Sequence, residues 1–254
     1  MKNYFLVLQF IFVFLLSNFI FSQTTITENF DSDTDGKEYD LSSESTPSGF
    51  WNGSDDDSSG YGWEIGDGRT PSNNTGPDDA LNESGYYAFC ETSGSGYNKT
   101  FILESDTFSA TSTTMSFYYH MHGATIGTLY VDESTDGGTS WSNLFSKSGE
   151  QQSDETEPWV QITSGSSAGF SAISSSANKL RIRYYSGSSF TGDAAIDQIV
   201  VTYSTGPSIS VGSSISNLNY TYGYGPSVSQ STTVSGSNLE ADITLTAPTN
   251  FEIS

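Results

Sequence analysis

Between Ser116 and Trp141 the chain reads SFYYHMHGATIGTLYVDESTDGGTSW, and no other stretch constrains the fold as tightly. Residue types alternate, placing Met115, Phe117, Tyr119 and Met121 on one face and Ser116, Tyr118, His120 and His122 on the other. A period of two specifies an extended strand with one buried face. A Gly-containing turn follows, then a second strand, then the acidic Asp136-Gly137-Gly138 turn, with Trp141 entering a third strand. Two hairpins in succession imply an antiparallel sheet.

The same reading extends over the rest of the chain. Strands are expected at Ile26–Phe30, Tyr61–Ile65, Tyr86–Glu91, Thr100–Glu104, Thr114–Met121 and Thr128–Glu133. Further strands are expected at Trp141–Phe145, Trp159–Thr163, Lys179–Tyr185 and Ala195–Tyr203. In Lys179–Tyr185, Leu180, Ile182 and Tyr184 point one way and Arg181, Arg183 and Tyr185 the other, as a half-exposed strand requires. Short strands separated by Gly- and Asn-rich turns, with no 3.6-residue period, specify an all-β antiparallel sandwich of jelly-roll type. The chain has one cysteine, Cys90, so no internal disulfide supports the fold and the hydrophobic core must do so.

At the N-terminus, Lys2 precedes a largely apolar run, Tyr4–Ile20, that ends in Ser22-Gln23. This has the form of a Sec-type signal peptide over residues 1–23, with cleavage expected in preference to an uncleaved anchor. No second hydrophobic span follows, so the mature chain is expected not to span a membrane. The net charge of −22 repels nucleic acid and anionic membranes and favours cations. Near Ser204–Pro207, Ser-Thr-Gly-Pro interrupts the strand pattern. The remainder, residues 205–254, starts a second set of strands too short to close a sandwich of its own. The chain is therefore expected to be continuous with further domains.

Several segments together resemble the MAM domain family of extracellular adhesion and recognition modules. They are Asn29-Phe30-Asp31, Trp63 with Thr75-Gly76-Pro77, Tyr86–Ser93, Phe117–Gly123 with Gly127-Thr128-Leu129, Trp159, and Gly192-Asp193-Ala194-Ala195-Ile196-Asp197-Gln198-Ile199. The resemblance covers about Glu28 to Tyr203 and assigns residues 24–204 to a MAM-like sandwich. The cysteines of animal members are absent, as in a bacterial version. The tail is similar to the opening of immunoglobulin-like repeats in secreted Bacteroidetes proteins, which often carry type IX secretion sorting domains. The resemblance also implies a Ca²⁺ site between the opening acid and the closing strand, here Asp31, Asp193 and Asp197 with Asp79. Ala80 and Gln198 stand where many members have Asp.

Asp31, Asp33 and Asp35 before Gly36 look like half an EF-hand loop, but Ser42 stands at the twelfth position, where a bidentate Glu belongs. Asp55-Asp56-Asp57 reads as a solvated acidic loop. His120 and His122 could chelate zinc or copper from one strand face, with packed histidines the expected alternative. Asp136 is expected to bond the backbone of its own turn. Asn-x-Ser/Thr sites at Asn52, Asn73, Asn82, Asn98 and Asn219 indicate surface loops. No nucleophile with an identifiable base, no HExxH and no GxSxG occurs.

The expected protein is a secreted or cell-surface, non-catalytic adhesion or ligand-recognition module, stabilised by Ca²⁺ and bound to an extracellular protein or glycan. The alternative is a carbohydrate-binding accessory module of a secreted hydrolase or peptidase whose catalytic domain lies beyond residue 254. In that reading Trp51, Tyr61, Tyr97 and Tyr185 are the exposed rings that would stack on sugars.

Overall fold

The computed structural model describes residues 22–40, 44–54, 60–94, 96–212, 231–237, 239 and 241–245. The leader up to residue 21, Asp55–Asp57, Asn219 and most of the tail lie outside them. The chain divides into a unit of Ser22–Gly206 and another that includes Pro207–Ser254.

The strands of the larger unit are β1 (Ser22–Glu28), β2 (Glu38–Tyr39), β3 (Trp51–Ser54), β4 (Trp63–Gly66), β5 (Tyr87–Phe89) and β6 (Thr100–Ser105). They continue as β7 (Ser112–His120), β8 (Thr128–Ser134), β9 (Ser142–Ser148), β10 (Val160–Thr163), β11 (Lys179–Tyr185) and β12 (Ala195–Thr205). A seven-stranded sheet runs β10-β7-β12-β5-β4-β2, with β1 also paired to β12, and a five-stranded sheet runs β3-β6-β11-β8-β9. All pairs within both sheets are antiparallel. In the smaller unit, β13 (Ser208–Val211) pairs antiparallel with β14 (Val234–Ser237).

The core lies between the two sheets. From the first come Trp63, Ile65, Met115, Phe117, Tyr119, Ile199 and Val201; from the second come Trp51, Phe101, Leu103, Leu129, Val131, Leu180, Ile182 and Tyr184. Removing a side chain of Phe or Leu size from water contributes about 1.5–3 kcal/mol, so an aromatic-rich core can hold this fold without a disulfide. Cys90 is free, fully buried within that core, and donates its N–H to Ala194 O at 2.9 Å. Burial raises its thiol pKa well above the ordinary value.

Two short strands were not legible in the sequence, β2 and β3. Trp51 was expected as an exposed ring, but it is wholly buried in β3, because Phe50-Trp51 supplies the apolar anchor of an edge strand paired to β6. Packing therefore overrides the loop-like composition of WNGS, and Trp51 is withdrawn as a ligand-stacking residue. β1 starts at Ser22, two residues inside the span assigned to the leader.

β12 carries a bulge. Asp197 pairs with Tyr118 and Val200 with Ser116, so Gln198 and Ile199 together oppose one residue of β7. Gln198 adopts φ 46°, and the extra residue shifts the phase of alternation. Ile196, Ile199 and Val201 all reach the core as a result, while Asp197 does not.

The outer face of the seven-stranded sheet is not bare. Ala80, Tyr87, Phe89 and Ala195 form a second buried cluster with Trp159 packed against it. His120 lies 5.7 Å from the Trp159 ring and is fully buried, although its strand position points away from the main core.

Candidate functional site

Where β1 ends and β12 begins, a depression of about 180 Å³ is lined by Asn29, Asp31, Leu81, Asn82, Ser84, Asp197 and Gln198. The end of β1 delivers Asp31. Glu28 Oε1 accepts the Phe30 N–H at 3.0 Å and Oε2 accepts the Ser48 N–H at 2.8 Å, which holds the turn that follows the strand. Asp31 Oδ1 then accepts the Tyr86 N–H at 3.1 Å, and Oδ2 accepts from Asn29 Nδ2. Gly85 makes this approach possible: at φ +91°, a Cβ there would lie 2.0 Å from Asp31 Oδ1.

The β12 bulge delivers Asp197. Its Oδ1 accepts the Gln198 N–H at 2.5 Å and its Oδ2 the Leu81 N–H at 3.3 Å. Burial raises the Asp197 carboxyl to about 7, and the negative charges of Asp31 and Glu28 push in the same direction. Phe30, Asn82, Glu83 and Gln198, four non-glycine residues with positive φ, lie in or directly beside the depression. Such backbone costs of order 1–3 kcal/mol each and tends to cluster at ligand sites.

Of the four residues in the expected Ca²⁺ set, the structure brings Asp31 and Asp197 to one place. Asp79 Oδ1 instead accepts the Ala80 N–H at 2.8 Å, and Asp79 does not line the depression. Asp193 is fully buried elsewhere, with Oδ1 accepting the Thr92 N–H at 2.9 Å and the Thr92 hydroxyl at 2.8 Å. Among the described residues, no three His, Cys, Asp or Glu side chains converge as ligands for one ion. An ion at the depression would draw on the Asp31 and Asp197 carboxylates and on the neutral oxygens of Asn29, Asn82 and Ser84. The donor set fits Ca²⁺, which takes six to eight hard oxygens in irregular geometry. None of Asn29, Asn82 and Ser84 is an expected ligand from the sequence, where Asn29 enters only with the opening Asn29-Phe30-Asp31 segment and Asn82 only as a glycosylation triplet.

The remaining expected residues have local explanations. Asp33 accepts the Tyr39 hydroxyl, so the Asp31–Asp35 run does not act as one loop of ligands. His122 Nδ1 sits 3.0 Å from both Gln152 O and Glu150 Oε1. Burial, reinforced by the neighbouring His122, lowers the His120 pKa to about 4. Asp136 accepts from Ser140 through both oxygens and from the Ser134 hydroxyl, which lowers its pKa to about 2 and closes the β8–β9 hairpin. Tyr61 is half-buried, with its ring 6.2 Å from that of Phe101. Tyr97 and Tyr185 are exposed.

The outer face of the five-stranded sheet carries Lys179, Arg181 and Arg183 along β11, three of the eight cationic residues in the chain. Asp132 Oδ2 accepts from Arg181 Nη2 at 2.9 Å and Arg183 Nε at 2.6 Å. Burial alone would raise the Asp132 carboxyl, but hydrogen bonds from Arg183 and Asn143 and the guanidinium charges bring it below the ordinary value. Arg181 lies 4.3 Å over the Trp141 ring and Arg183 3.8 Å over that of Tyr130.

The site and scaffold are those of a jelly-roll-like β-sandwich module with acids gathered where its terminal strands meet. The family model for the MAM domain, meprin/A5/mu, matches residues 42–204, and the chain belongs to that family. Solved structures with similar chains include the K1 adhesin domain of Lys-gingipain from Porphyromonas gingivalis W83, 16% identical, with a TM-score of 0.48 over 70% of this chain and 97% of that one. The K2 adhesin domain of Lys-gingipain is 14% identical, with a TM-score of 0.49 over 70% and 99%. The CBM22-1–GH10 modules of a Clostridium thermocellum xylanase, complexed with xylohexaose, are 12% identical, with a TM-score of 0.37 over 76% and 30%. None of these TM-scores reaches 0.5. Among the described residues no helix is long and apolar enough to cross a membrane.

Proposed function

We propose that the chain is an exported, non-catalytic recognition module that binds an extracellular ligand without transforming it and is stabilised by Ca²⁺ in the Asp31–Asp197 depression. Membership of the MAM family supports the recognition role. The observation that carries the calcium reading is geometric: the Asp31 and Asp197 carboxyls line one depression together with Asn29, Asn82 and Ser84. Two like charges at such a site repel unless a proton or a cation lies between them. The non-catalytic reading is supported by the groups best suited to chemistry, Cys90 and His120, which are buried in packing rather than aimed into the depression.

Thermal denaturation of the full chain after chelation, with and without added Ca²⁺, tests the calcium reading. A midpoint that rises with Ca²⁺ and not with Mg²⁺ is expected, because a ligand that binds only the folded state stabilises it. A midpoint indifferent to Ca²⁺ rules it out. The reading as a carbohydrate-binding accessory module is favoured by a separate observation, the exposed rings of Tyr97, Tyr185 and Phe190.

A further inference from the structure

Among the described residues of the sandwich, the exposed large hydrophobic side chains are Tyr97, Val160, Tyr185 and Phe190. Three of the four, all aromatic, belong to segments stitched together at one end. Asn98 N–H donates to Gly187 O at 2.9 Å, Lys99 N–H to Ser186 Oγ at 3.0 Å, and Ser186 Oγ to Gly96 O at 2.7 Å. The Thr92 and Thr125 hydroxyls both donate to Ser189 O, at 3.3 and 3.2 Å. The loop bearing Tyr97, the end of β11 bearing Tyr185 and the loop bearing Phe190 therefore form one fixed platform.

Arg183 stands next to Tyr185 on the outward face of β11, about 7 Å along the strand. It engages Asp132 through Nε alone, so among the described residues its two Nη groups donate to nothing. Stacked at 3.8 Å over Tyr130, the guanidinium is held in place with those donors unspent.

We infer that this platform binds a neutral glycan, with the exposed rings stacking on sugar faces and the Arg183 Nη groups donating to sugar hydroxyls. The inference rests on the reading of the chain as a recognition module and names its ligand class and site. Charge argues for a neutral ligand, since a chain of net charge −22 repels polyanions. Composition argues for a sugar. The large exposed apolar side chains at this end are aromatic without aliphatic residues, and Tyr185 is flanked across the sheet by the hydroxyl-bearing Thr100 and Thr128. Flat rings with an apolar face and a polar surround suit a ligand that is itself apolar on one face and hydroxylated at its edge.

The test is affinity electrophoresis of the full chain through gels containing cellulose derivative, xylan, mannan, β-1,4-galactan or starch, with hyaluronan and poly-L-glutamate as anionic probes. Retardation by at least one neutral polysaccharide is expected, little changed between 50 and 500 mM NaCl. Tyr97→Ala with Tyr185→Ala should weaken it at least tenfold, and Arg183→Lys should weaken it severalfold. Val160→Ala, an exposed change outside these segments, should leave it intact and serve as the folding control alongside circular dichroism. Migration unaffected by every neutral polysaccharide overturns the inference. So does retardation by hyaluronan or poly-L-glutamate in preference to them, or binding that survives loss of both tyrosines. A chain that responds to Ca²⁺ but ignores all these glycans sinks this inference alone. A chain that binds glycan but ignores Ca²⁺ sinks only the calcium reading.

Discussion

Asp193 and Thr92 are joined twice through one oxygen: Oδ1 of the buried carboxylate accepts both the backbone N–H and the hydroxyl of Thr92, at 2.9 and 2.8 Å. Its other oxygen, Oδ2, is buried without a hydrogen-bond partner among the described residues, as is Oε2 of Glu91. Burial, reinforced by the charge of Glu91, raises the Asp193 carboxyl to about 7 against the opposing hydrogen bonds from Thr92 and Thr70. The Thr92 contacts tie the closing strand to the segment after β5, and the second oxygen is where the arrangement is costly.

Replacing only the costly oxygen should therefore help. Asp193→Asn keeps the Oδ1 acceptor and removes the charge that opposes Glu91. At pH 8 it is expected to stabilise the fold by about 1 kcal/mol, whereas Asp193→Ala, which strands the Thr92 donors, should cost about 1–3 kcal/mol. Urea denaturation of the two variants checks the contrast, and equal losses in both would refute it.

Stability should also depend on pH in a definite sense. Asp193 and Asp197 both stand near 7 when folded, against about 4 for an ordinary carboxyl in the unfolded chain. Between those values the folded state holds protons that the unfolded state has released, so stability falls as pH rises from about 4 to about 7. The loss is at most on the order of 4 kcal/mol per group. In the presence of chelator the melting temperature should be lower at pH 7.5 than at pH 5. Asp197→Asn should flatten that slope, as should saturating Ca²⁺. A melting temperature that climbs across this range would contradict the assignment.

Gly85→Ala should both destabilise the fold and weaken Ca²⁺ binding, since its Cβ would meet Asp31 Oδ1 at 2.0 Å in a backbone of φ +91°. A cost of about 1–3 kcal/mol is expected from the conformation alone. Calorimetric titration of the folded variant with Ca²⁺ gives the second readout, and unchanged affinity would show that Asp31 takes no part.

On the opposite sheet, Asp132→Ala removes the shared acceptor of Arg181 and Arg183, whose side chains are only 16% and 25% exposed. A loss of about 1–3 kcal/mol is expected, larger than an exposed surface pair would give. Chemical denaturation measures it, and a change within a few tenths of a kcal/mol would mean that the two guanidiniums find other partners.

Much of this architecture is legible in the residues. The alternation in Ser112–His120 and Lys179–Tyr185 fixes which side chains reach the core, and both strands show it. The double apolar step Ile199-Val200-Val201 after Asp197-Gln198 also carries the mark of the bulge, though its meaning emerges only once β12 is paired with β7. What could not be read was burial imposed from a distance. Trp51 lies in a four-residue strand among Gly, Ser and Asp, too short to show a period, and only pairing with β6 hides it. His120 was placed correctly on the outward face, yet Trp159 covers that face there. Four acids suggested by resemblance could not be sorted without geometry, which unites Asp31 with Asp197 and sets Asp79 and Asp193 apart.

The solitary thiol of Cys90, sealed in the core with its pKa raised, has a practical use. A disulfide reagent meets no other cysteine in this chain, and it can react only with molecules that have opened far enough to part the sheets. At reagent concentrations where labelling outpaces reclosing, its rate gives the rate of those openings. The protein thus carries its own reporter on the opening of its core, readable without adding a cysteine by mutation.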